Sequence, residues 1–274
     1  MLYQLDNYTA NIPYLINTDI KCYDISKANI SILFDAGLLS RDDYSRLYSL
    51  PKKNREIEIG IMSRDNEVVK ETLKDGFLNA RRLLIEANGI KDESILSIKK
   101  DAVYVINRTL KETEFGSVKF KLSDRYTSFY RLADLEIYFN SDFNHMDVKG
   151  INDNILVLHK DYFQSLLSLI FLTAEKQDIE YVLTRMKTII SMYAGMEFDA
   201  ECYREFNRLS SFRLVKAYNI LSSRTQSIGV RAPSDSLITG FKKYIDISYN
   251  YGLIIQLYNY YFEIYLNKIN NHPA

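Results

Sequence analysis

Ile95-Leu96-Ser97-Ile98-Lys99-Lys100-Asp101-Ala102-Val103-Tyr104-Val105-Ile106 decides the fold of the first half of the chain. Two apolar, β-branched runs flank a charged centre, Lys99-Lys100-Asp101, as two strands or one bent one would. A second stretch, Ile20 to Leu33, has a related form. A strand runs from Ile20 to Asp24, and Ser26 is placed to cap a helix from Lys27 to Ala36 that Gly37 ends. Each stretch sets one Asp, Asp24 or Asp101, where a β-rich run is interrupted. A strand carrying Asp24 beside a hairpin carrying Asp101 can bind divalent metal ions, and two metals held this way drive phosphoryl transfer.

Working outward, a helix starts at Ser40 and is broken by Pro51. Lys52-Lys53-Asn54-Arg55 follows, and then Glu56 to Gly60, which alternates like a strand or starts a helix. Val68 to Asn88 carries Val69, Leu73, Phe77, Ala80, Leu84 and Ala87 near helical spacing, with Gly76 as a point where it can divide in two. Beyond the hairpin, Ser117 to Lys121, Tyr126 to Tyr130 and Leu135 to Phe139 continue the β pattern. The stretch 140–154, rich in Asn, Asp and Gly, marks the boundary. From Asp161 onward the apolar residues recur at three and four positions, which predicts helices at 161–175, 178–192, 199–221 and 235–269. The last is interrupted at Gly252, and 222–236 is a loop. The expected architecture is α+β: an antiparallel sheet with helices in a domain of residues 1–150, then an all-helical domain of residues 151–274.

The chain has 274 residues, of which 47% are apolar, enough for one large core or two modest ones. Lys plus Arg equals Asp plus Glu, so bulk attraction to nucleic acid is absent and any such contact needs a local basic patch. Cys22 and Cys202 form no CxxC or Cys/His cluster, which argues against structural zinc and for a reduced, cytoplasmic setting. No apolar run is long enough to span a bilayer, and the N-terminus lacks the pattern of a signal peptide. Abundant Tyr, Ile, Asn and Lys with no Trp match an AT-rich coding sequence, as in many phages and low-GC bacteria.

Tyr23 to Ile32 resembles the first palm motif of family B DNA polymerases, in which an Asp ends a strand and a Tyr-Pro-Ser turn follows. Asp24 falls on the metal-binding Asp, Ser31 on the motif Ser, and Asn29 on the Tyr that screens the sugar. Ala80 to Val105 resembles the family's helix, turn and Asp-Thr-Asp-Ser hairpin. There Asp101 keeps the second Asp, and Lys99 replaces the first. Lys52 to Gly60 faintly resembles the finger-helix motif. The resemblance covers Ile20 to Tyr130 and implies a minimal palm. Asp24 and Asp101 would be catalytic and bind Mg²⁺, and Lys52, Lys53, Arg55 and Asn29 would face the nucleotide. It implies nucleic acid as partner. The alternative is a palm-derived structural or interaction subunit of a phage replication, transcription or virion assembly, without catalysis.

Each residue also has a plainer role. Asp24 can cap a helix, Lys99-Lys100-Asp101 can be a charged hairpin tip, and the Lys52 to Arg55 run can be a solvated loop. The tyrosines at 244, 249, 251, 258, 260, 261 and 265 read as core or interface residues at helical spacing. His145, His159 and His272 are isolated in sequence, with no metal-ligand partner at helical or hairpin spacing.

Overall fold

The computed structural model describes residues 2–133, 135–151, 153–160, 162–195, 197–198 and 249–271. The chain is α+β with antiparallel sheets, and its contacts divide it into two units. The first comprises Met1–Asn11 and Thr18–Tyr126, and the second Ile12–Asn17 and Thr127–Ala274.

The first unit is built on six antiparallel strands. They are β1 (Asn7–Thr9), β3 (Ile20–Ile25), β4 (Ile95–Lys99), β5 (Ala102–Ile106), β6 (Glu114–Phe115) and β7 (Val118–Tyr126), in the order β1-β4-β5-β3-β7-β6. Four helices accompany them: α1 (Ala28–Asp35), α2 (Arg41–Ser49), α3 (Lys52–Asp65) and α4 (Glu67–Ala87). Side chains alternate along each strand. Tyr23 and Ile25 of β3, with Val103 and Val105 of β5, share a buried cluster with Ala28 and Ile32 of α1 and Phe77, Ala80 and Leu84 of α4. Leu84 is fully buried, worth roughly 2 kcal/mol of transfer free energy. The other side of α1 sends Ile30 and Leu33 into a second cluster with Leu47 of α2, Ile59 of α3 and Val69 of α4. The sheet's second face carries the intervening residues, Cys22 and Asp24 of β3 among them.

Local details correct several expectations. Ser26 does not cap α1: it lies in the turn after β3, and its N–H donates to the Lys119 carbonyl at 2.8 Å. The helix instead begins after Lys27, at φ 51°, with no side-chain cap. Ser40 does cap α2, accepting from the Asp43 N–H at 3.1 Å. Glu56 to Gly60 is helical, within α3. Gly76 does not divide α4. A Cβ there would lie 2.1 Å from Ile32 Cγ2, so the glycine lets α1 and α4 approach closely. Val118 to Lys121 and Tyr126 belong to one strand, β7, and Ser117 lies in the turn before it.

The second unit holds a four-stranded sheet in the order β10-β9-β8-β2, made of β2 (Tyr14–Leu15), β8 (Ser128–Leu132), β9 (Leu135–Asn140) and β10 (His145–Lys149). After it come α5 (Asp153–Leu158), a π-helical stretch Tyr162–Leu167 running into α6 (Ser168–Lys176), α7 (Ile179–Gly195) and α8 (Tyr249–Asn271). Tyr130 stacks on Phe171 at 4.3 Å, and its hydroxyl meets that of Tyr261 at 2.7 Å, both buried. The late tyrosines within reach are therefore core residues, as expected, with Tyr261 at the centre and Tyr260 donating to the Arg131 carbonyl.

The stretch 140–154 is not a bare linker. Its His145–Lys149 pairs with β9 from His145↔Asn140 to Lys149↔Glu136, and the Asn and Asp residues make the hairpin turn between them. The sequence expectation divided the chain at residue 150. The contacts divide it at Tyr126, because β8, β9 and β10 share their core with the helices that follow. Gly252 lies in the first turn of α8 and does not interrupt it. Among the described residues from 153 onward there is no strand. The helix expected at 199–221, the loop at 222–236, Tyr244 and Cys202 lie outside the described residues.

Candidate metal site on the first sheet

Asp24 occupies the penultimate position of β3, the strand between β5 and β7. Its pairing partners are Ala102 on one side and Lys121 on the other. Asp101 belongs to the two-residue turn that joins β4 to β5, where Lys99 pairs with Ala102. The two aspartates are tied through the backbone, since the N–H of Ile25 donates to the carbonyl of Asp101 at 3.0 Å. Sequence reasoning expected them on neighbouring strands; Asp24 lies on β3, whereas Asp101 lies in the β4–β5 turn beside it.

The turn is held from behind. Lys100 adopts φ 39°, and its N–H donates to the Asp6 carbonyl at 2.7 Å. Arg81 of α4 is fully buried and donates to three oxygens. These are the Tyr3 carbonyl at 3.0 Å, Asp6 Oδ1 at 2.9 Å and the Lys100 carbonyl. A guanidinium fits this task because its donors form a rigid planar fork. Arg81 lies on the apolar stripe of its helix between Phe77 and Leu84, a charge where the pattern calls for a hydrophobe. That was the available signal for it.

Asp24 is half-buried, and its carboxyl is held above the usual carboxylate range. Burial is the first cause and the charge of Asp101 the second. Lys121, Lys52 and the Ile25 N–H act in the opposite sense. A carboxyl raised by a neighbouring carboxylate is relieved by a cation between the two. A hard divalent cation suits the donor set, since Mg²⁺ commonly takes one or two carboxylates and completes its shell with water or substrate oxygens. Among the described residues no group of three or more His, Cys, Asp or Glu forms.

The remaining expected residues are dispersed. Lys52, in the first turn of α3, is near enough to Asp24 to act on its charge. Arg55 is half-buried and donates to the Leu50 carbonyl at 3.2 Å, closing the turn between α2 and α3. Lys53 is exposed and Asn29 half-buried, and neither hydrogen-bonds to the aspartates. Lys99 reaches toward β1, donating to Asn7 Oδ1 and Thr9 Oγ1 at 3.0 Å each. Lys121 was missed. Its strand was expected, but the pairing register that sets it beside Asp24 is a long-range fact that no local pattern carries.

The family model described as "Bacteriophage PBS1 gene 130 protein" matches residues 1–263, and the chain belongs to that phage family. No curated protein shows a significant match to the chain. Neither finding points to a family B DNA polymerase. Among the described residues no helix is long and apolar enough to cross a membrane.

Proposed function

We propose that this phage-family protein is a palm-type module for nucleotidyl transfer on nucleic acid, with Asp24 and Asp101 as its metal-binding carboxylates. The observation that supports the reading is the placing of Asp24 on β3 beside the turn that carries Asp101, the two joined by the Ile25 N–H to Asp101 carbonyl bond at 3.0 Å and reached in the chain order strand, helices, hairpin. The resemblance to the polymerase palm rests on the same order. Asp24 and Asp101 would hold Mg²⁺, which when bound supplies charge stabilisation to phosphoryl oxygens and activates a hydroxyl nucleophile. Burial of Asp24 concentrates the pair's field, the Arg81 clamp ties the hairpin tip to α4, and the Ile25 N–H to Asp101 carbonyl bond ties it to β3. Lys52, with Lys53, Arg55 and Asn29 on the adjoining helices, would meet the nucleotide. The protein would act in the cytoplasm of the host cell.

One observation favours the non-catalytic alternative, a palm-derived subunit of a replication, transcription or virion assembly. Lys99, where the polymerase hairpin has its first Asp, is tied to Asn7 and Thr9 at the sheet's β1 side.

Calorimetric titration with Mg²⁺ or Mn²⁺, paired with primer extension, tests the proposal. Wild type should bind the cation and extend a primer, and Asp24→Asn and Asp101→Asn should lose both while staying folded. A wild type that binds neither cation at millimolar concentration overturns it.

A further inference from the structure

Across β7, β3 and the β4–β5 turn the first sheet sets a row of charges. Asp101 lies in the turn just before β5, Asp24 on β3 and Lys121 on β7. Adjacent strands are about 4.8 Å apart, so Asp24 stands between a second carboxylate on one flank and an ammonium on the other. Lys121 pairs directly with Asp24 in the β3–β7 register, and directly paired residues project from the same face. It is exposed, and among the described residues it closes no ion pair. Its neighbour two positions back on the same face, Lys119, is by contrast spent on Glu114 at 2.9 Å. An ammonium that stands beside a carboxylate without closing on it remains available to a second anion.

We propose that Lys121 is the phosphate-binding residue of this site, holding an oxygen of a metal-bound polyphosphate on the flank of Asp24 opposite Asp101. The inference rests on the reading of Asp24 and Asp101 as a cation site. It adds a substrate class, since the row suits a ligand with a metal at one end and a further anionic oxygen about one strand spacing away. Inorganic phosphate is too short to use both ends fully, whereas a triphosphate reaches both. Lys52, in the first turn of α3, also acts on the charge of Asp24, so the polyphosphate meets cations carried by two different elements.

The geometry makes Lys121 act in opposite senses on the two ligands. Toward a bare cation it is a repelling charge, and toward a polyphosphate an attracting one. Lys121→Gln should therefore leave Mn²⁺ affinity unchanged or raised. It should weaken inorganic tripolyphosphate, titrated in saturating Mn²⁺, by roughly tenfold or more, the worth of one charge-assisted hydrogen bond. Lys119→Gln should change neither, and Lys121→Arg should restore most of the tripolyphosphate affinity. Calorimetry on the full chain reads all of these. Wild type binding Mn²⁺ but no tripolyphosphate overturns the inference, as does unchanged tripolyphosphate affinity in Lys121→Gln. A wild type that binds no Mn²⁺ removes the cation site itself, and this inference with it.

Discussion

Nη2 of Arg81 lies 2.9 Å from Oδ1 of Asp6, and the two side chains differ wholly in environment: Arg81 is fully buried, while the Asp6 side chain is 61% exposed. The guanidinium's other two bonds go to main-chain carbonyls, Tyr3 and Lys100. The ion pair is therefore the lesser part of what Arg81 does. It joins the N-terminal segment to the tip of the β4–β5 hairpin and so fixes where Asp101 begins.

Arg81→Met should keep the bulk and lose the donors. Two carbonyls would then lack a buried partner, at a cost of about 2 kcal/mol or more in denaturant unfolding. Asp6→Asn keeps an acceptor at an exposed position and should cost less than about 1 kcal/mol. Equal losses for the two variants would show that the ion pair, not the carbonyl clamp, carries the stability.

Asp24 should be a residue the fold would be more stable without. Its folded-state pKa is raised, by burial first and by Asp101 second. Between the unfolded and folded values the native state holds more protons than the unfolded chain, so stability falls as pH rises through that window. Above the folded value the loss is complete. Asp24→Asn should therefore melt higher than wild type at pH 7, and the difference should vanish below the ordinary carboxylate range. Mg²⁺ should narrow the gap by stabilising wild type alone. A variant less stable than wild type at pH 7 without metal would contradict this.

Gly76 sits mid-helix, where alanine would normally gain up to about 1 kcal/mol from helix propensity. Here the added Cβ meets Ile32 Cγ2 at 2.1 Å and Ile32 Cβ at 3.2 Å, too close for a side chain branched at that carbon to evade. Gly76→Ala should lose roughly 1–3 kcal/mol through overpacking. Gly76→Ala with Ile32→Ala should be less destabilised than the sum of the two single variants, a coupling that a thermal double-mutant cycle reads directly.

The same glycine shows what the sequence could and could not convey. Read locally, Gly76 is a weak point in a helix. Only the packing of α1 against α4 gives its reason. The central strands β3, β4 and β5 were legible because their alternation is strong and local. Strands β1 and β2, of three and two residues, were not, since pieces so short carry no period. Strand β10 was hidden by its sequence His-Met-Asp-Val-Lys, in a stretch whose Asn and Asp mark a turn without saying that strands flank it. At the candidate site Asp24 and Asp101 stood out as interruptions of β runs. Lys121 did not, because only the β3–β7 pairing gives it meaning, and that pairing shifts register between Cys22 and Tyr23.

Cys22 offers a reporter of the sheet's integrity. It is buried on β3, two residues before Asp24, and its thiol is pushed up to about 11. Burial is the main cause, hydrogen bonds with Ser123 and Tyr104 oppose it, and the charges of Asp24 and Asp124 add to it. At pH 8 only about one native thiol in a thousand would be the reactive thiolate. Alkylation should therefore proceed through opening of the fold, and its rate should follow the opening equilibrium. In a Cys202→Ser background, Arg81→Met should speed alkylation of Cys22 by the factor that its loss of stability implies, about tenfold for each 1.4 kcal/mol. Asp24→Asn at pH 7 should slow it. Mass spectrometry of timed samples reads both. Rapid labelling in the native protein, with no dependence on these variants, would mean that the thiol is reached without opening the sheet.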